Sequence, residues 1–406
     1  MLGRSSPSST VRGYSVPRPG ALAGRPRSLL AQAFARKSVL RQMDWLLVVA
    51  VSGLSAIGVL LVWSATQHSL LAAGLDPRTY LKKQLLWDVI GLLLMFAVSF
   101  IDSRRLRSWA PLAYGATLLG LLAVLSPLGS DINGAHAWIS LPGGFQVEPS
   151  EFAKVALVLI VATVFSQARG ATPGLRSVLL ALAAAAPLIA LVVVEPALGV
   201  ALVLVVVTAT MIVLSGTRLR IIAALTAIVG GVVALAGGTH LLKSYQLARF
   251  TSFLHPSANL AGAGYNAAQA KIAVGSGGMF GTGLFHGQIV AGNFVPSQQT
   301  DFIFTVAGEE LGFVGTITIV VLLFIVIVRA LRIAARADDL FGTLIASGVA
   351  MWFAFQSFVN IGMTIGITPI TGLPLPFVSY GGSAVFADMI AIGMLQSVRR
   401  HYSVFD

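Results

Sequence analysis

Long apolar runs alternate with short polar stretches along most of the chain, from about residue 44 to residue 400. About ten of these runs are long enough to cross a bilayer as helices, which takes roughly 20 residues each. The pattern predicts an all-α polytopic membrane protein. The expected spans are roughly 44–65, 84–101, 108–127, 149–168, 176–194, 197–215, 220–240, 303–328, 341–366 and 379–398.

Composition agrees with that prediction. Of the 406 residues, 56% are hydrophobic and 10% are charged, whereas a soluble domain carries roughly 25% charged residues. There is no cysteine, so the chain has neither disulfides nor thiol chemistry. The formal net charge is +12. Because topology accounts for where these charges lie, we expect no nucleic-acid partner.

The basic residues set the expected orientation. With the N-terminus inside and the spans alternating, 20 of the 27 Lys and Arg residues fall on the cytoplasmic side. This asymmetry fits an even number of spans in the plasma membrane with both termini cytoplasmic. Residues 1–43, basic and rich in Ser, Pro and Gly, are expected to be a disordered tail that either contacts anionic lipid or only fixes topology. Residues 401–406 form a short second tail.

One predicted extracytoplasmic loop, residues 241–302 between spans seven and eight, is long and varied in sequence. Loops of that length are usually functional or disordered. Within it, GYNAAQAKIAV predicts a short interfacial helix. The glycine-rich GSGGMFGTGLFHG predicts backbone that turns tightly or closely approaches a ligand.

Ionisable residues within apolar segments are the strongest functional signal in a membrane protein. Glu151 and Lys154 open span four and share one helix face. They form either a self-neutralising pair that tolerates burial or the lining of an outward-facing cavity. Asp301 opens span eight, and Asp388 stands within span ten, where it is either neutral or paired. Asp44 and Asp88 stand near span ends and are expected to be solvated.

The connection between spans nine and ten, TPITGLPLPFVSYGGSA, is rich in proline and glycine. Such backbone at membrane depth is tolerated only where it lines protein or a wet cavity. The unusual polar features therefore gather on the predicted outer side, which suggests a groove for a polar headgroup on a lipid tail. The sequence has no Walker A motif, zinc-ligand set or Ser/His/Asp signature.

Three motifs carry a family resemblance: the glycine-rich loop, VPSQQTDFIFTVAGEELGFVG, and TGLPLPFVSYGGS. Together they resemble the SEDS family (shape, elongation, division and sporulation), and the resemblance covers residues 44–400. The pieces SYQLARFTSFLHP and NFVPSQQTDFIF resemble its elongation-type member more than its division-type member. Two departures stand out, since many relatives have Arg at the position of Ala137 and Asp at that of Ala197.

The resemblance implies a peptidoglycan glycosyltransferase that polymerises lipid II, an undecaprenyl-pyrophosphate-linked disaccharide-pentapeptide, with a class B penicillin-binding protein as partner. It implies Asp301 as the leading catalytic residue, with the Glu151 and Lys154 pair beside it. Further residues are expected to bind substrate. They are Trp138, Arg249, Gln269, Lys271, His286, Gln288, Thr300 and Ser379.

The reaction needs one base for the acceptor hydroxyl and something to hold the pyrophosphate charge. Asp301 is expected either to take the proton or to hold a divalent cation, Mg²⁺ or Mn²⁺. Lys154, Arg249 and Lys271 are candidates for the pyrophosphate. Three other functions stay open at this point: a division-type polymerase, a lipid II flippase, and a non-catalytic scaffold for the penicillin-binding protein.

Overall fold

Helices dominate the part of the chain described by the structure, a computed structural model that describes residues 42–132, 135–141, 145–168, 173–238 and 263–402. The helices are α1 Trp45–Ala72, α2 Thr79–Ser99, α3 Ser103–Val124, α4 Pro149–Ser166, α5 Leu175–Val194, α6 Leu198–Leu214, α7 Leu219–Gly238, α8 Ala263–Ser276, α9 Gln288–Ala291, α10 Ile303–Arg336, α11 Leu340–Ile365 and α12 Gly382–Tyr402. The predicted tail at 1–43 lies almost wholly outside these residues, as do Arg249 and most of the short tail at 401–406.

Each of the ten predicted spans overlaps one of these helices. Among the described residues, five helices are long and apolar enough to cross a membrane, namely α1, α4, α5, α10 and α11. Others fall short because they are brief or, like α2 with Lys82 and Lys83, begin with charged residues. The helix positions are therefore confirmed and the chain is a multi-pass membrane protein, while the number of crossings stays a prediction.

A small antiparallel sheet between α3 and α4 corrects the all-α prediction. Its strands, in spatial order, are β1 Gly129–Ile132, β2 Ala135–Leu141 and β3 Phe145–Val147. In the register, Ile139 lies opposite both Gly129 and Val147. Strands of three to seven residues give too short an alternating pattern to be recognised beside 20-residue apolar runs. We call the end of the bundle that carries this sheet the sheet end.

The glycine-rich segment packs against a break in α10. Gly312 has φ +64° and ψ −161°, which interrupts the helix. The segment supplies the missing hydrogen bonds: Thr282 N–H donates to the Glu309 carbonyl at 2.9 Å, and Phe313 N–H donates to the Gly278 carbonyl at 2.9 Å. A Cβ at Gly281 would overlap the carbonyl of Glu310. The backbone of this segment thus closely approaches α10 and satisfies the hydrogen-bonding groups at the break; the close approach to a ligand stays a prediction.

Buried carboxylates tie other helices together. Asp44, predicted to be solvated, is 2% exposed and pairs with Arg329 and, at 2.7 Å, with Arg399. The solvated prediction is wrong because the start of α1 packs between the ends of α10 and α12. The solvated prediction is also wrong for Asp88, which packs on the buried face of α2. Asp388 accepts a hydrogen bond from the Phe377 N–H at 3.3 Å.

Candidate functional site

A cavity of about 310 Å³ opens at the sheet end. Its wall combines carboxylates, hydroxyls and small residues from β2, the start of α4, the connection between α5 and α6, and the segments before α10 and α12. The lining residues are Ala137, Trp138, Glu148, Glu151, Glu195, Pro196, Ala197, Gly199, Val200, Ser297, Thr300, Asp301, Thr371, Gly372, Pro374, Tyr380, Gly381, Ser383 and Ala384. The structure therefore brings together four residues predicted from sequence, namely Trp138, Glu151, Thr300 and Asp301.

Asp301 is held by its backbone. Its carbonyl accepts a hydrogen bond from Asn360 Nδ2 at 2.7 Å, and the same amide nitrogen donates to the Leu373 carbonyl at 2.6 Å. The side chain lies against Gly372, where an added Cβ would come within 3.4 Å of Asp301 Oδ2. One buried amide on α11 thus fixes the carboxylate relative to the proline-rich connection.

Ser379 fastens the neighbouring residue from the other side. Its hydroxyl donates to the Thr300 carbonyl at 2.6 Å and accepts from the Leu375 N–H at 2.7 Å. The Tyr380 N–H donates to the Gln299 carbonyl at 2.9 Å. Ser379 is 2% exposed and does not line the cavity. In this structure its hydroxyl positions the backbone, and the substrate contact expected for it stays a prediction.

Glu151 and Lys154 form a buried ion pair directly behind the cavity wall. Lys154 Nζ lies 2.7 Å from Glu151 Oε2 and 3.0 Å from Gln356 Oε1, and it stands 4.7 Å from the ring centre of Trp352. Gln356 in turn donates to the Pro374 carbonyl at 2.8 Å. Lys154 is 1% exposed and is not on the cavity wall, whereas Glu151 is. In this structure the Lys154 ammonium is engaged by these partners, and the pyrophosphate contact expected for it stays a prediction.

Two carboxyl groups of the wall were missed as site residues. Glu148 follows β3 and receives a hydrogen bond from Ser150 Oγ at 2.8 Å. Burial, together with the charge of Glu151, raises the pKa of Glu148 to about 8. Glu195 joins α5 to α6, and burial raises its pKa to about 8 with Glu148 as a second cause. The rule that singled out Glu151, a carboxylate at the edge of an apolar run, would have found both.

The small sheet places Trp138. β2 carries Ala137 and Trp138 to the cavity, and Ser130 Oγ of β1 donates to the Trp138 carbonyl at 3.1 Å. Ala137, one of the two departures from the family resemblance, is 3% exposed and contributes only a methyl group to this wall. The tryptophan expected to contact substrate thus lines the cavity, as Glu148 does.

The loop candidates lie elsewhere. Gln269 and Lys271 are on α8, and the Lys271 side chain packs over Gly366. His286 Nδ1 lies 2.8 Å from the Leu284 carbonyl, and both His286 and Gln288 are exposed. None of these side chains lines the cavity, and their predicted substrate contacts have no support from its geometry.

The electrostatics of the cavity are one-sided. Four carboxyl groups line it and no Lys, Arg or His does so among the residues that the structure describes. In the same part of the chain, no group of three or more Asp, Glu, His or Cys residues is spaced to hold a metal ion. A cation here would therefore need ligands from a bound substrate in addition to one or two carboxylates.

Comparison with known proteins gives a consistent assignment. The family model described as "cell cycle protein", for FtsW, RodA and SpoVE, matches residues 44–404. The chain is 36% identical over 363 residues to a probable peptidoglycan glycosyltransferase FtsW of Trichlorobacter lovleyi, covering 88% of this chain and 93% of that protein. It is 34% identical to the peptidoglycan glycosyltransferase RodA of Treponema pallidum, with 87% and 97% covered.

A solved structure adds the fold. One chain of a peptidoglycan synthase complex, solved to describe the structural coordination of polymerization and crosslinking, superposes with a TM-score of 0.74 at 30% identity. The match covers 89% of this chain and 98% of that one. With the family model spanning nearly all described residues, the chain belongs to the SEDS family of FtsW, RodA and SpoVE.

Proposed function

We propose that this protein is a peptidoglycan glycosyltransferase that polymerises lipid II into β-1,4-linked glycan strands and releases undecaprenyl pyrophosphate. The observation that carries the proposal is Asp301 on the wall of a polar cavity whose neighbouring groove is apolar. The names of the relatives, peptidoglycan glycosyltransferases of the FtsW and RodA types, support the same activity.

The groove and the cavity share one short stretch of chain. The groove, of about 510 Å³, is lined almost wholly by apolar side chains, including those of Val147, Pro149 and Phe152. Glu148 and Glu151, which alternate with them, line the cavity instead. This arrangement suits an amphiphile with a polyprenyl chain in the groove and its sugar headgroup in the cavity.

The chemistry is a single inverting displacement. The acceptor's 4-hydroxyl oxygen forms a bond to C1 of the donor sugar while the bond from C1 to the pyrophosphate oxygen breaks. The pyrophosphate leaves with that electron pair, and Asp301 takes the hydroxyl proton as general base. Because pyrophosphate is already a good leaving group, no second acid is required.

A divalent cation, Mg²⁺ or Mn²⁺, fits the same site in a second arrangement. Mg²⁺ commonly binds to one or two carboxylates together with substrate phosphates, and Asp301 is the carboxylate we propose for it. Dependence of the rate on added Mg²⁺ or Mn²⁺ after chelation, lost in Asp301→Asn, would favour this arrangement. A rate that is indifferent to the chelator would favour the general base.

We also propose that the sheet end is extracytoplasmic. The basic residues at the other end, including Arg329 and Arg399, support this orientation under the positive-inside rule. The natural sequence has no cysteine, so single cysteines are clean probes. Ser140→Cys on β2 should react with an impermeant maleimide in intact cells and Asp338→Cys should not; the reverse pattern would overturn the orientation.

The central experiment uses purified protein and labelled lipid II, with and without a class B penicillin-binding protein. The related synthase complex, which couples polymerization to crosslinking, supports such a partner. The natural protein is expected to form polymer and Asp301→Asn to form none. Polymer at the normal rate from Asp301→Asn would remove this residue from the mechanism. Translocation of lipid II in vesicles without polymer would favour a flippase.

The elongation role rests on the resemblance of its loop motifs. We propose that the chain restores rod shape to a rod-shaped bacterium depleted of its own RodA. Rescue of division after depletion of FtsW, with no rescue of shape, would assign the protein to division instead.

A further inference from the structure

Glu195 is a carboxyl group buried in the wall of the cavity. Its side chain is 1% exposed, and among the described residues neither carboxyl oxygen has a hydrogen-bond partner. It stands between α5 and α6 and lines the cavity that also contains Asp301. A buried polar group left unsatisfied is costly, typically by more than a hydrogen bond contributes when made, so its presence calls for an explanation.

Glu309 is a useful contrast on the same molecule. It is equally buried, at 1% exposed, but its two oxygens accept hydrogen bonds from the N–H groups of Ile289 and Val290 at 2.9 and 3.0 Å. That carboxylate caps the short helix α9 and is fully used by the fold. Among the described residues Glu195 makes no comparable hydrogen bond, and its side chain faces the cavity.

The charge of the cavity limits what can face Glu195. The neighbouring acid on the wall is Glu148, and the cation that acts on it among the described residues, Lys154, is buried behind Glu151. Because burial raises the pKa of Glu148 and of Glu195 to about 8, this part of the wall offers a ligand hydrogen bonds rather than charge. A neutral headgroup rich in hydroxyl and amide groups would supply the donors and acceptors that the carboxyl lacks.

We propose that Glu195 is a substrate-binding residue that hydrogen-bonds a hydroxyl or amide group of the sugar headgroup in the cavity, an inference that rests on the proposed function. Since the pKa of Glu195 is raised to about 8 by burial, the group holds a proton at neutral pH. It then donates one hydrogen bond and accepts another, which is what a sugar hydroxyl requires.

Two substitutions separate substrate binding from other roles. Glu195→Ala removes both hydrogen-bonding oxygens, and we expect KM for lipid II to rise about ten- to hundredfold, as for loss of one or two hydrogen bonds. Glu195→Gln keeps a donor and an acceptor in nearly the same place, and its KM should stay within about threefold of the natural value. A carboxyl acting in proton transfer or as a cation ligand would instead lose kcat in both variants, which would overturn the proposal.

Thermal stability supplies a readout that a structural role would move in the opposite direction. Because Glu195 is unsatisfied in the folded protein, Glu195→Ala should leave the apparent Tm unchanged or raise it. The matched control, Glu309→Ala, strips two backbone N–H groups of their acceptor and should lower Tm. A drop for Glu195→Ala as large as that for Glu309→Ala, with KM unchanged, would show that Glu195 is structural and refute the proposal.

Measuring the binding of lipid II to a variant that is expected not to polymerise it separates this test from the activity. Fluorescent lipid II is titrated into Asp301→Asn and into Asp301→Asn/Glu195→Ala in nanodiscs. A Kd weaker by tenfold or more in the double variant supports the Glu195 contact whether or not the natural protein polymerises. Equal Kd values overturn the contact, and they do so without touching the polymerase assignment, which rests on polymer formation by the natural protein.

Discussion

Lys154→Met, with Glu151 left in place, removes the positive half of a buried ion pair. Both side chains are at most 2% exposed, and their charged atoms lie 2.7 Å apart. Leaving one buried charge without its partner typically costs about 3–5 kcal/mol. At about 2 °C of Tm per kcal/mol for a large domain, we expect the apparent Tm of Lys154→Met to fall by roughly 6–10 °C.

The double variant Glu151→Gln/Lys154→Met removes both charges while keeping the volume. Replacing a buried pair by uncharged groups of similar size is often neutral or stabilising. The apparent Tm should therefore return to within about 2 °C of the natural protein. Polymerisation should not return, because Glu151 lines the cavity and glutamine lacks its charge.

The assay measures both quantities on the same preparations. Thermal unfolding in nanodiscs gives the stability cycle from the natural protein, the two single variants and the double variant. Polymer formed from labelled lipid II, normalised to folded protein, gives the activity. If the double variant regains stability and polymerisation together, the pair is only a tolerated buried charge, and our functional interpretation of Glu151 is wrong.

Three further outcomes follow from contacts elsewhere. In thermal unfolding, Gly312→Ala should lower the free energy of unfolding by about 2 kcal/mol or more, because φ is +64° and a Cβ would meet the glycine-rich segment. The control is Gly115→Ala, whose Cβ would have no atoms near it and which should raise the free energy of unfolding by about 0.5–1 kcal/mol. The apparent Tm should fall as pH rises from about 4.5 to about 8, since the raised pKa values of Glu148 and Glu195 make the folded state bind more protons than the unfolded chain. Glu195→Gln should make this fall shallower, and an apparent Tm that rises over the same pH range would contradict the prediction. Asp44→Asn should lower the free energy of unfolding by roughly 3 kcal/mol, since it leaves two arginines facing a neutral amide. The rate of polymerisation per folded molecule should not change.

Much of the helical architecture could be predicted because a membrane imposes a simple rule on sequence. Backbone in lipid must be helical, so apolar runs near 20 residues long read directly as helices. The start of α4 shows how far this reaches: Pro149 marks its first turn, and the Glu151 and Lys154 pairing followed from helical spacing alone.

The remaining features depend on contacts between distant segments, which spacing does not encode. Ser379 and Thr300 are 79 residues apart in sequence, and only the fold shows that the serine hydroxyl donates to the threonine carbonyl. The exposure of Asp44 was likewise mispredicted because its arginine partners come from the ends of other helices. Lys154 was expected to reach substrate, yet Gln356 and Trp352 from α11 enclose it.

The small sheet, which the sequence pattern did not reveal, decides which residues line the polar cavity and which line the apolar groove. Ile139 of β2 pairs with Val147 of β3, and both side chains lie on the apolar groove. Their chain neighbours Trp138 and Glu148 lie on the polar cavity. Because side chains alternate along a strand, a slip of one residue in this register would exchange the two surfaces and bring Val147 to the cavity. The pairing of two short strands therefore holds the boundary between the binding sites that we propose for lipid tail and sugar headgroup.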